Sequence, residues 1–282
     1  MAGTKIAGVM RAGTYSPNHI GNDAAILNVV AEQLRKRGCE VKIYSEEQLI
    51  AGKIEEKIII NMCRDLQSIT LLQQLEDEGR LVINSGYGIE NCIRERMTRI
   101  LVGNDIPYPE SLCVNTDEVV KDLLDKNGFT QCWIKRGDCH TTHKEDVTYV
   151  RHAQEAQEIL QEYFLRGIKR AVISKHLPGK LIKFYGVQGS PFFYCLQPSG
   201  NGSDKANSVP VFDEKAMRSI CQTAAEVLDV KIYGGDCIIT TDGSIHIIAF
   251  DDWPSFAPCR HEAASHIAKG IIAEIKRHRK QT

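Results

Sequence analysis

The chain has ten cysteines but no Cys-x-x-Cys pair. The cysteines are scattered, and nothing in their spacing marks one out as catalytic. Cys63, Cys113, Cys132, Cys195 and Cys237 lie within or beside apolar runs and read as reduced, buried small hydrophobes. No stretch approaches the ~20 apolar residues of a membrane span. The first residues run straight into a strand-like segment, without the charged start and apolar region of a signal peptide, so the expected location is the cytoplasm. Neither sign of charge dominates. The 35 Lys and Arg residues face 36 Asp and Glu, for a net charge of -1, which argues against a nucleic-acid or membrane partner. The basic run Lys276–Lys280 reads as the end of a helix, where cations suit the dipole. No GxGxxG follows the first strand, since Gly8 and Gly13 do not make one, and a dinucleotide-dependent oxidoreductase is excluded on that ground. Internal repeats and low-complexity tracts are absent as well.

What remains is ordinary globular material, 43% hydrophobic and 25% charged over 282 residues. Three short β-branched runs, Ile6–Met10, Lys57–Met62 and Leu81–Ile83, have the near-continuous apolarity of strands covered on both faces. Helical patterns lie between them at Ala24–Arg37, stopped by Gly38, and at Asp65–Glu78, stopped by Gly79. This alternation predicts right-handed βαβ units and an open parallel sheet over residues 1–105. A second, smaller unit spans 106–168, with strands at Glu110–Val114, Gln131–Lys135 and Val147–Val150. Helices there are predicted at Thr116–Lys126, capped by Thr116, and at Ala153–Leu165. A third unit spans 169–282, with strands at Ala171–Ser174, Leu181–Val187 and Phe192–Leu196. After the polar loop Pro198–Ser208 come a helix at Glu214–Leu228, a hairpin of Ile232–Thr240 and Ser244–Phe250 around Thr241-Asp242-Gly243, and a closing helix over 262–277.

Five segments carry the chemistry. Val82-Ile83-Asn84-Ser85 ends a strand, and the basic helix Arg94–Leu101 and Ile106-Pro107-Tyr108-Pro109 follow. Cys132-Trp133-Ile134-Lys135 is a strand ending in lysine, a point charge suited to phosphate. The loop Arg136–Asp146 holds Gly137, Thr141 and Thr142, whose hydroxyls can donate to phosphate oxygens; His140 and His143 read as surface residues. Ala171–Gly179 precedes the strand Leu181–Val187, which carries Lys183. Tyr233–Ile239 brings Asp236, and Ile247–Phe256 brings Asp251 and Asp252 before Pro254.

In this order the segments resemble the ATP-grasp superfamily, in its RimK-type and glutathione-synthetase-like form, over residues 80 to 275. The resemblance implies an α/β protein, with a pre-grasp open parallel-sheet domain followed by a two-subdomain ATP-grasp fold with antiparallel sheets. It implies ATP and Mg2+ as cofactors and ATP-dependent joining of a small-molecule or peptide carboxylate to an amine (or thiol) through an acyl phosphate. On this resemblance Arg96, Lys135, Thr141, Thr142, Ser174, Lys175, His176 and Lys183 bind the nucleotide. Lys183 and Arg260 are the catalytic candidates, and Asp236, Asp251 and Asp252 the metal ligands. Arg11 and Arg64 sit at C-terminal strand ends, where open α/β sheets bind ligands, and are the expected substrate anchors. The chain departs from the family pattern at Arg96, where lysine is usual, in its glycine-poor phosphate loop, and at Ala249, which takes the place of an acidic metal ligand. Alanine cannot ligate a metal. Either the three aspartates together serve two magnesium ions, or the metal site is weakened. A small-molecule kinase and a non-catalytic nucleotide-binding protein are the alternative functions, and a homodimer is compatible with the sequence.

Overall fold

The structure is a computed structural model that describes residues 3–15, 20–139, 144–198 and 211–281. Thr141 and Thr142, and the loop 199–208, lie outside the described residues. Three four-stranded sheets organise the chain. The first joins β1 (Thr4–Val9), β2 (Cys39–Tyr44), β3 (Ile58–Asn61) and β4 (Leu81–Ile83) in the order β2-β1-β3-β4, all parallel. The second joins β5 (Ser111–Asn115), β6 (Cys132–Arg136), β7 (Val147–Val150) and β8 (Arg170–Lys175) in the order β5-β8-β6-β7, antiparallel. The third joins β9 (Gly179–Val187), β10 (Phe193–Leu196), β11 (Ile232–Thr240) and β12 (Ile245–Asp252) in the order β10-β9-β11-β12, again antiparallel. A parallel sheet followed by two antiparallel ones is the arrangement the sequence predicts.

Several local expectations need correction. β2 is an additional strand at the edge of the first sheet, where exposed Glu40 and Lys42 interrupt its apolar residues. The segment Arg170–Lys175 pairs within the second sheet rather than the third, because Ala171 and Ile173 complete the core beneath that sheet's helices. Thr116 does not cap a helix. Its hydroxyl donates to the Ile168 carbonyl at 2.6 Å, and the helix begins only at Lys121.

The helices fix how the sheets meet. α1 (Ile20–Arg35) lies on the first sheet and packs against α9 (Arg260–Gln281), and one apolar core runs from Ile26 and Leu27 through Met62 to Trp253, Phe256 and Ile267. The first and third sheets thus share a core. α5 (Arg94–Gly103) and α8 (Glu214–Val227) cover the other face of the third sheet through Met97, Leu101, Met217 and Cys221. The second sheet has a separate core, closed by α6 (Lys121–Lys126) and α7 (Ala153–Leu165). At the end of β4, buried Asn84 clamps the first and third sheets together. Its Nδ2 donates to the Ile232 carbonyl at 2.8 Å, and its Oδ1 accepts from the backbone of Lys231 and Ile232, both at 2.9 Å.

Buried backbone groups left without partners cost more than a hydrogen bond gains. Asn84→Ala is therefore expected to lower unfolding free energy by about 2–4 kcal/mol in urea titration, since several groups lose partners at once. A change below about 0.5 kcal/mol, the range of ordinary surface substitutions, would show that the clamp carries no weight.

Candidate functional site

A cavity of about 530 Å³ opens where the loops of the first sheet meet the faces of the other two. Its floor is a buried ionic network. Asp252 has 0% exposure and lies between Arg11 and Arg64, 3.9 Å from the first and 3.6 Å from the second. Burial lifts the Asp252 carboxyl to about 6 against the pull of Arg64 and Arg11. Arg11 is itself fully engaged: Nη1 meets Asp23 at 3.0 Å, Nε donates to the Met62 carbonyl at 3.1 Å, and Nη2 donates to the Trp253 carbonyl at 3.1 Å. Its expected role as a substrate anchor is thereby corrected, because its donors are committed to holding β3, α1 and β12 together. Among the described residues the Arg64 side chain makes longer contacts, with Nη2 at 3.4 Å from Asp251 and Nε at 3.6 Å from Asp252.

Glu46 supports both loops from below. It opens α2 (Glu46–Ile50) after the Ser45–Gln48 capping box, and its carboxylate accepts from the backbone N–H of Ala12 at 2.7 Å and of Arg64 at 2.8 Å. A capping box is legible in sequence; that its neighbouring glutamate turns inward to brace two loops is not.

Three elements bring cations to or beside the cavity. On β9, Lys183 stands opposite Asp236 of β11 and bonds it at 2.9 Å. Burial raises the Asp236 carboxyl, and Lys183 opposes the shift. On β6, Lys135 faces away from the core that holds Cys132 and Ile134, so its chain crosses toward the third sheet. Its Nζ donates to the Ile248 carbonyl at 3.2 Å, and Arg94 Nη1 donates to the same oxygen at 3.2 Å. Ile248 is the extra residue where the β11–β12 register shifts, and such a bulge re-aims a strand. Burial, with the nearby Arg94, lowers Lys135 to about 7, while Asp236 pulls the other way.

Arg96 does not reach this cavity. Its side chain, 49% exposed, pairs with Glu90 at 3.0 Å and with Asn91 at 2.8 Å. Arg94 takes the inward position instead. The helical period identifies it, because Arg94 shares a face with Met97, Thr98 and Leu101, all buried. Arg260, a catalytic candidate, does not line the cavity either; it donates to the Asn22 side chain at 2.8 Å and so steadies a residue that does. Ser174, Lys175 and His176 lie at the far end of the second sheet. Ser174 Oγ accepts from Ser111 at 3.0 Å, and the backbone N–H groups of Lys175 and His176 are bonded to the carbonyls of Glu110 and Gln131. The His176 ring accepts from Trp133 Nε1 at 3.2 Å and lies near Tyr149, forming an aromatic group one side-chain step behind Lys135.

The expected metal ligands divide. Asp236 and Asp251 line the cavity, while Asp252 points to the opposite side, into the Arg11–Arg64 network. This corrects Asp252 as a ligand: neighbours along a strand alternate faces, and the guanidinium groups already occupy it. Ala249 stands directly across from Asp236 and brings no oxygen ligand on its side chain. Among the described residues no group of three His, Cys, Asp or Glu side chains could hold a metal ion. Gly235, just before Asp236, is required by close approach, because a Cβ there would collide with the Ala249 carbonyl.

No family model matches the chain, and no curated protein matches it in sequence. Solved structures do match. A D-alanine–D-alanine ligase from Bacillus anthracis complexed with ATP superimposes with a TM-score of 0.76 at 16% identity, over 99% of this chain and 100% of that one. VanG D-Ala:D-Ser ligase from Enterococcus faecalis gives 0.73 at 13%, over 96% and 99%. A RimK domain ATP-grasp protein from Sphaerobacter thermophilus gives 0.69 at 15%, over 95% and 99%. The chain has the ATP-grasp fold.

Lys135 supplies a test of this electrostatic arrangement. Its folded value of about 7 lies below the ordinary 10.5, so between those values the unfolded chain binds more protons and stability rises with pH. The cost of burying the charge is full below about pH 7 and fades toward 10.5. Lys135→Met is therefore expected to stabilise the fold by a few kcal/mol at pH 6 and by little near pH 10, read from urea midpoints. A stabilisation that does not vary with pH would contradict the buried charge.

Proposed function

We propose that the chain is an ATP-dependent ligase that joins a carboxylate to an amine with release of ADP. The observation that carries this reading is a set of cations from separate elements, Lys183 of β9 and Arg94 of α5 lining the cavity and Lys135 of β6 donating beside Arg94 to the Ile248 carbonyl, within a fold shared with an ATP-bound ligase. Held on different elements, they can surround a triphosphate without having to be gathered first. Such preorganised charge is the usual means of lowering a phosphoryl-transfer barrier.

In this reading Lys135, Arg94 and Lys183 hold the phosphates. The aromatic group of Trp133, Tyr149 and His176 lies on the base side of Lys135. Arg64, whose contacts to Asp251 and Asp252 are long, takes the carboxylate substrate, and Arg11 braces the floor. The carboxylate oxygen attacks the γ-phosphorus, ADP departs with the bridging oxygen, and the resulting acyl phosphate is attacked by the amine, which expels phosphate and gives up a proton. Positioning of the two substrates supplies much of the rate. Magnesium, when bound, neutralises phosphate charge; Asp236 and Asp251 are the residues of this chain that can hold it.

A second reading, nucleotide binding without catalysis, is favoured by one observation, the alanine at position 249 across from Asp236. The two readings separate in a screen of ADP release with magnesium and ATP against pools of amino acids, dipeptides and small carboxylates. The ligase reading expects release that depends on one pool and falls by about 100-fold or more in Lys135→Ala, the loss typical of removing one oriented charge from a transition state. Nucleotide binding with no release from any pool would favour the second reading.

A further inference from the structure

We propose that the cleft takes a single divalent cation with its nucleotide, held by Asp236 and Asp251 alone. The inference rests on the nucleotide reading above and concerns how that site is charged.

Geometry supplies the first argument. Across the β11–β12 ladder, Ala249 faces Asp236 and Asp251 faces Gly234. Asp236 and Asp251 are thus diagonal neighbours on one face, a separation of roughly 7–8 Å that is somewhat less between Cβ atoms. Two aspartates at that separation can reach one ion with metal–oxygen bonds of about 2 Å. A second ion would need further oxygen ligands, and among the described residues the adjoining strand positions lack them. Ala249 has a methyl group, and Asp252 faces away into the Arg11 and Arg64 guanidinium groups.

Charge supplies the second. Each of the two carboxylates now rests on a side-chain cation, Asp236 on Lys183 at 2.9 Å and Asp251 on Arg64 at 3.4 Å. Both contacts can be exchanged, because Asp251 is 44% exposed and Lys183 41% exposed. An ion that takes the two carboxylates frees Lys183 for a phosphate oxygen and Arg64 for an anionic substrate. With Lys135 and Arg94 close by, protein cations then supply the positive charge that a second ion would bring. Magnesium is commonly held in this way, by one or two carboxylates, substrate phosphates and water.

Counting manganese ions tests this. The protein is saturated with a non-hydrolysable ATP analogue and titrated with Mn2+; free ion is read by electron paramagnetic resonance and protein-bound ion by water-proton relaxation. Analogue binding is measured separately by calorimetry in EDTA. The expected result is one Mn2+ per complex. Its affinity should fall in Asp236→Asn and in Asp251→Asn by about tenfold or more, at least the loss seen on removing a metal's outer-shell partner. Thermal melting of the two variants, both altered at the cavity wall rather than in the core, checks that they fold. Ala249→Glu should add a second ion. Two ions in the natural chain, none, or one whose affinity is unchanged in both Asn variants would each overturn the proposal. If the analogue fails to bind with or without metal, the nucleotide reading itself fails and takes this inference with it.

Discussion

Asp252 has to be removed from water for the cavity to have a floor. A carboxylate with 0% exposure carries a desolvation cost of several kcal/mol, which partner cations at 3.6–3.9 Å offset in part. Those partners, Arg11 and Arg64, come from loops that follow β1 and β3, whereas Asp252 ends β12. The ion network can form only when the first and third sheets are docked in one orientation. The shared apolar core of α1 and α9 supplies the attraction, and it is largely non-directional. Arg11, with donors aimed at Asp23 and at the carbonyls of Met62 and Trp253, turns that attraction into a defined position.

Once the floor is set, the rest of the site follows from strand alternation. Asp251 faces the cavity because Asp252 faces the core. Lys183 and Asp236 meet because β9 and β11 are in direct register. Lys135 reaches the third sheet because its neighbours Cys132 and Ile134 are needed beneath α7. The bulge at Ile248 then presents a carbonyl to Lys135 and Arg94, so that two cations converge on one oxygen. A phosphate oxygen would serve those donors better than a carbonyl, since ionised acceptors make the stronger hydrogen bonds.

Much of the fold was legible in the sequence, because its main signals are local. β-branched runs and glycine stops marked β1, β3, β4 and α3 (Leu66–Asp77), and a turn dipeptide marked the β11–β12 hairpin. β2 carries no such local signal, since exposed Glu40 and Lys42 break its apolar run at the sheet edge. The partner of Arg170–Lys175 was not legible because strand order depends on long-range pairing. In the site, lysines at strand ends stood out, whereas the choice between Arg94 and Arg96 turned on helical phase. They lie two residues apart and so face different sides, and only the phase of Met97 and Leu101 tells which one turns inward. The structural duty of Arg11 and the inward turn of Glu46 left no local trace, because their partners lie far away in sequence.

The central claim is that this cavity is charged to hold a polyphosphate. Calorimetric titration with ATP, ADP and adenosine at pH 6.5 and low salt tests it most directly. The account predicts that affinity falls in that order, that raising the salt weakens ATP far more than adenosine, and that Lys183→Ala narrows the gap between ATP and adenosine. Equal affinity for ATP and adenosine, or an ATP affinity indifferent to salt, would contradict it.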